Sequence, residues 1–149
     1  GSVVRCTVSG MPAGVGDPVF EKLDANLAKA MFSIGAVKGL DIGDGHRAAS
    51  ARGSENNDSF YIKEGKVAAR TNHAGGILGG LSDGADIEMT VYFKPTPSIA
   101  QKQNTVDLQK GENAELEIKG RHDPCVVLRA LPVIEAATAI AIVDMLLDD

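Results

Sequence analysis

The sequence predicts an α+β fold with helices packed between antiparallel sheets. Three features carry this reading. Ile87, Met89, Val91 and Phe93 alternate with Glu88, Thr90 and Tyr92, the period-two pattern of a strand buried on one face. Phe20, Leu23, Leu27, Ala30, Met31 and Ile34 recur at spacings of three and four, the mark of an amphipathic helix. The final stretch VIEAATAIAIVDMLLDD is apolar nearly all the way round, and a helix of that kind is covered on most sides, here between layers of sheet.

Taken in order, Val3 to Val8 is rich in β-branched residues and runs into SGMPAGVGDP, a strand followed by a glycine-rich turn. Asp17 suits a helix N-cap and Pro18 the first helical position, so the amphipathic helix is expected to begin there and to stop near Gly35 or Gly39. Residues 46 to 59, HRAASARGSENNDS, contain no large aliphatic side chain and are expected to form a poorly ordered loop. Phe60 to Arg70 reads as a hairpin turning at KEGK. After the strand at 87–93, Thr105 to Leu108 and Ala114 to Lys119 alternate around a KGEN turn and should pair antiparallel. Pro132 is expected to open the last helix. The tally is two long helices and five to seven strands, with no tandem repeat.

A chain of 149 residues is long enough to bury a core as one domain. Its net charge of -5 and the lack of a basic patch argue against nucleic acid. Two cysteines, Cys6 and Cys125, are too few for a disulfide framework and fit reduced thiols in a cytoplasm. The most apolar window, Leu131 to Leu147, carries Glu135 and Asp144 and is short for crossing a bilayer, so no membrane role is expected. Gly1 and Ser2 read as a cloning scar ahead of a domain at residues 3–149.

Three stretches carry chemistry. The run from Asn72 to Gly84, NHAGGILGGLSDG, could bring backbone N–H groups against an anion or a flat ring, but its spacing matches no nucleotide fingerprint and favours a structural turn. In FKPTPSI, Lys94, Thr96 and Ser98 on a proline-stiffened backbone would suit a phosphate, and a strand end braked by proline explains the same residues equally well. In KGRHDPC, Arg121 could grip an oxyanion and Asp123 could exchange a proton, or the two could simply pair with each other. His122 and Cys125 lack the mutual geometry of a thiol catalyst. The three histidines have no short paired spacing, and no metal site is expected.

In order along the chain, GMPAGVGDPVFEKLDANLAKAMFSIGAVKGLDIGDG, GSENND, NHAGGILGGLSDG, FKPTPSI and KGRHDPCVVLRALPVIEA closely resemble the C-terminal half of chorismate synthases. The resemblance covers nearly the whole chain. It implies a layered β-α-β sandwich, a homotetrameric parent enzyme, and conversion of 5-enolpyruvylshikimate 3-phosphate to chorismate and phosphate by 1,4-anti elimination with reduced FMN. It places flavin contacts at Gly35, Ala36, Gly79, Lys94, Pro95, Thr96, Pro97, Ser98 and Arg121, substrate near Arg121, and a proton-handling carboxylate at Asp123. Gly35 stands where many relatives have Asn, leaving only a backbone contact at that position. The family's key histidines and most substrate-binding arginines lie in the half that has no match here, so these 149 residues are expected to be inactive alone. A non-catalytic scaffold domain is the competing class, and a flavoprotein reductase finds no nicotinamide fingerprint in support.

Overall fold

A computed structural model describes residues 1–148. Its centre is a three-stranded antiparallel sheet in which β7 (Ile87–Phe93) lies between β1 (Ser2–Val8) and β2 (Val37–Ile42). The register places Val4 opposite Val91, and Leu40 opposite Val91 from the other side. Along β7 the burial alternates as the sequence predicts, with Ile87, Met89, Val91 and Phe93 inside. Two helices cover that inner face: α1 (Leu23–Phe32) and α3 (Val127–Leu147). Between them lies one core of Val4, Met31, Val91, Phe93 and Ile134, and a second of Leu23, Leu27, Ile87, Ile142 and Met145.

The remaining strands form small hairpins. β3 (Phe60–Lys63) pairs with β4 (Lys66–Ala69), β5 (Ile77–Leu78) with β6 (Leu81–Ser82), and β8 (Gln103–Asp107) with β9 (Glu112–Leu116). The α+β class with antiparallel sheets is therefore as expected.

Three local expectations are corrected. Helix α1 begins at Leu23 rather than at Asp17 and Pro18; Asp17 instead bridges Glu21, and Phe20 is exposed. The carbonyl of Gly80 accepts the Leu23 N–H at 2.8 Å, so a tertiary partner satisfies the first turn where a side-chain cap was expected. Helix α3 starts five residues before Pro132, which sits inside it. Residues 46–59 are not an irregular loop: Gly45–Ser50 wind into a 3₁₀ helix and Gly53–Asn56 into a short helix, α2. Charged and polar pairs hold this segment in place of apolar burial.

Helix α3 is long and apolar enough to cross a membrane by length and composition. One side of it, Ala130, Ile134, Thr138, Ile142 and Met145, is buried against α1 and β1, so the helix is covered on one side rather than on most sides as its apolar sequence predicts. Its opposite side, with Leu128, Val133, Ile140 and Leu147, faces outward.

Two glycines clasp the end of β2 to the turn at 72–75. A Cβ on Gly43 would collide with the His73 carbonyl and the Gly75 nitrogen, and one on Gly75 would collide with the Gly43 backbone. Both have positive φ, 56° and 65°, the region glycine adopts without strain. Glycines in the run at 72–84 thus build turns.

Candidate functional site

The strand β7 ends at Phe93, and Lys94 to Ser98 leave the sheet beside the loop that follows α1. The Lys94 N–H donates to the Ala36 carbonyl at 2.9 Å, and Ala36 has a positive φ of 71°. Gly35 is exposed, and a side chain there would meet nothing within 4 Å. These two segments, predicted separately as flavin contacts, are neighbours.

The loop before α3 closes on the same region. Ser98 Oγ stands 3.1 Å from His122 Nδ1, and His122 Nε2 is 3.1 Å from the Ile118 carbonyl. Through this imidazole the KPTPS and KGRHDPC segments are brought together. Thr96 Oγ1 is buried with no hydrogen-bond partner among the described residues. A buried hydroxyl left unpaired costs about 1–3 kcal/mol, which a polar ligand group would recover. Lys94 and Arg121 are exposed and form no ion pair among the described residues.

Asp123 does not pair with Arg121. Its Oδ2 lies 3.3 Å from Arg129 on the first turn of α3, leaving Arg121 free to face a ligand. Cys125 Sγ stands 2.7 Å from Ser2 Oγ and accepts from the Val127 N–H at 3.5 Å, and these contacts hold its thiol pKa below the ordinary value. Gly79, by contrast, turns the β5–β6 hairpin beside Gly80, at the N-terminal end of α1. Ala36 and Lys94 are at the other end, one helix length or about 15 Å away.

A polar network that sequence reasoning missed supports the neighbouring face of the sheet. Asp41 accepts from Tyr92 Oη at 2.7 Å and from His46 Nδ1 at 2.6 Å. Burial pushes its carboxyl up, but the bonds from Tyr92 and His46 outweigh this and hold it below the usual range. The Tyr92 hydroxyl, donating to Asp41, is pushed up in turn. Asp44 accepts from His73 Nδ1 at 2.7 Å and from Arg47 at 2.8 Å. Asp58 accepts from Thr71 Oγ1 and from the N–H groups of His73 and Ala74. The sequence offers a signal only for His46, which follows Asp41 and Asp44 closely; the acid that serves His73 is 29 residues away from it.

Reduced FMN fits the residues gathered here. The unpartnered Thr96 hydroxyl, the cations of Lys94 and Arg121, and the open space at Gly35 match a ligand with a polar phosphate end and a flat ring. No three His, Cys, Asp or Glu side chains cluster to hold a metal among the described residues.

The sequence model of chorismate synthase matches residues 1–147. A chorismate synthase of Lachnospira eligens is 56% identical over 149 residues, all of this chain and 40% of the relative. One from Archaeoglobus fulgidus is 55% identical over 147 residues, 99% of this chain and 41% of the relative. A crystal structure of a chorismate synthase superposes with a TM-score of 0.78 at 30% identity, covering 98% of this chain and 37% of that one. The chain thus spans about 40% of the length of its curated relatives. Sequence, motifs and fold agree that the chain belongs to the chorismate synthase family.

Proposed function

We propose that these residues are the C-terminal part of a chorismate synthase whose complete chain converts 5-enolpyruvylshikimate 3-phosphate to chorismate and phosphate. Reduced FMN is the cofactor of this reading, and a cytoplasmic homotetramer is its assembly. The observation that carries it is the meeting of KPTPS and KGRHDPC through Ser98 and His122, beside the unpartnered Thr96 hydroxyl.

In this reading Lys94, Thr96 and Ser98 hold the phosphate end of the flavin, with Pro95 and Pro97 fixing the backbone between them. Gly35 and Ala36 leave room for the ring. When bound, reduced FMN supplies electron density to the substrate and takes it back within the cycle. Arg121 grips the anionic substrate. Asp123 receives a proton at its carboxylate once Arg129 gives way. Gly79 reaches this site only through a further element or another copy.

The test is an anaerobic assay of the complete enzyme with reduced FMN and 5-enolpyruvylshikimate 3-phosphate, following chorismate by absorbance. Product from the complete enzyme, with little from Arg121→Ala and none from these 149 residues alone, is expected. A folded, flavin-loaded complete enzyme that makes no chorismate would overturn the proposal.

A further inference from the structure

The geometry points to Arg129 as a positioning residue that keeps Asp123 from neutralising Arg121, so that one cation stays open to an anionic ligand. The inference deepens the proposed function and rests on it for the identity of that ligand. Arg121 and Asp123 are opposite charges with one residue between them, and a local ion pair is the arrangement that competes with ligand binding. In the structure the carboxylate goes elsewhere. Its Oδ2 lies 3.3 Å from Arg129 Nη1, and Arg121 forms no ion pair among the described residues.

Nothing in the helix itself calls for a cation at this position. Arg129 is the third residue of α3 and the only basic one among its 21. A positive charge in a first turn faces the positive end of the helix dipole, where acidic side chains are favoured. This first turn holds no acid. The Arg129 side chain is 81% exposed, so it fills no gap in the core. Its N–H donates to the Val126 carbonyl at 3.1 Å, which roots it in the helix, while Pro124 restricts the backbone of Asp123 just ahead. Asp123 is the one ion-pair partner of its guanidinium among the described residues.

An exposed pair of this kind is weak, and weakness suits the role. Arg129 adds little to stability, yet it decides between two closely balanced arrangements of one carboxylate, turned to the helix or folded back on Arg121. Without Arg129 the second arrangement gains, and a substrate anion must first displace Asp123. Apparent affinity then falls with the fraction of molecules in which Arg121 is free. A competing pair of ordinary surface strength lowers it about two- to fivefold.

Two readouts on the complete enzyme test this. Without ligand, phenylglyoxal labelling of Arg121, followed by mass spectrometry, reports whether that guanidinium is free. Arg129→Gln is expected to slow labelling about two- to fivefold. Adding Asp123→Asn to it should restore the parent rate, because no carboxylate remains to capture Arg121. With FMN kept oxidised so that no turnover occurs, calorimetric titration with 5-enolpyruvylshikimate 3-phosphate should follow the same pattern: weaker binding in Arg129→Gln by the same factor, and parent affinity in the double variant and in Arg129→Lys. A double variant as weak as Arg129→Gln would make Arg129 a direct ligand contact or a support of the fold, and would overturn the inference. Parent-like labelling or parent-like affinity in Arg129→Gln would overturn it too. A parent enzyme that binds no substrate would instead remove the proposed function, and the labelling would still decide the role of Arg129.

Discussion

Ser98 and His122 tie two chemically distinct loops together, the serine Oγ lying 3.1 Å from the imidazole Nδ1. The other ring nitrogen faces the Ile118 carbonyl, which can only accept, so the proton sits on Nε2 and Nδ1 accepts from the serine in the neutral ring. The ring is a strut with one defined orientation. His122→Ala in the complete enzyme is expected to weaken FMN binding about tenfold, the scale of one hydrogen bond lost from a site's support. Flavin fluorescence titration checks this, and an unchanged affinity would remove the strut from cofactor binding.

Asp123 is held by Arg129 rather than by Arg121. Removing the carboxylate should therefore leave ligand binding nearly intact while slowing the chemical step. Asp123→Ala in the complete enzyme is expected to lower kcat about a hundredfold with little change in KM. The pair itself is solvent-exposed on the arginine side, and Arg129→Ala should change unfolding free energy by less than about 1 kcal/mol. Steady-state kinetics and urea unfolding read the two effects separately.

The acid stability of the fold should depend on Asp58. Burial pushes this carboxyl up, but hydrogen bonds from Thr71, Ala74 and His73 outweigh it and hold the group below the usual 3.8. A carboxyl depressed in the folded state stabilises above its unfolded value and loses that contribution as pH falls through the folded one. The benefit is complete near neutrality and starts to be lost only as pH falls below about 4. Asp58→Asn is expected to flatten the acid limb of a stability profile and to cost about 1–2 kcal/mol at pH 7. A profile identical to that of the parent sequence would contradict this.

Leu27 is fully buried in the core beneath α1. Leu27→Ala should destabilise the fold by about 3 kcal/mol, from lost transfer energy and the cavity left behind. Chemical denaturation with an unchanged m-value is the measurement.

Sequence periodicity located β7 and the buried face of α1, because burial on one face is written directly into the spacing of apolar side chains, and the KEGK turn located the β3–β4 hairpin. It misplaced the starts of α1 and α3 because those depend on partners far along the chain. The first turn of α1 rests on the Gly80 carbonyl, which no local capping pattern around Asp17 and Pro18 reveals. Pro132 is good at a helix start, yet here it is the sixth residue of α3. Residues 46–59 offered no apolar signal, and their order comes from carboxylates that meet imidazoles and backbone N–H groups. At the site, Lys94, Thr96, Arg121 and Asp123 were legible as reactive types in short motifs. His122 was not, since its role depends on Ser98 and Ile118 reaching it from two sides.

The clasp of Gly43 against Gly75 bears on how this protein can vary. Most crowded pairs in a core tolerate exchange, a larger residue at one position being accommodated by a smaller one at the other. Here neither position has a side chain to surrender, and a Cβ at either would strike the other's backbone. A saturation library covering both codons is expected to return glycine at each and no compensating doubles, a blank square in the mutational map well away from Lys94 and Arg121.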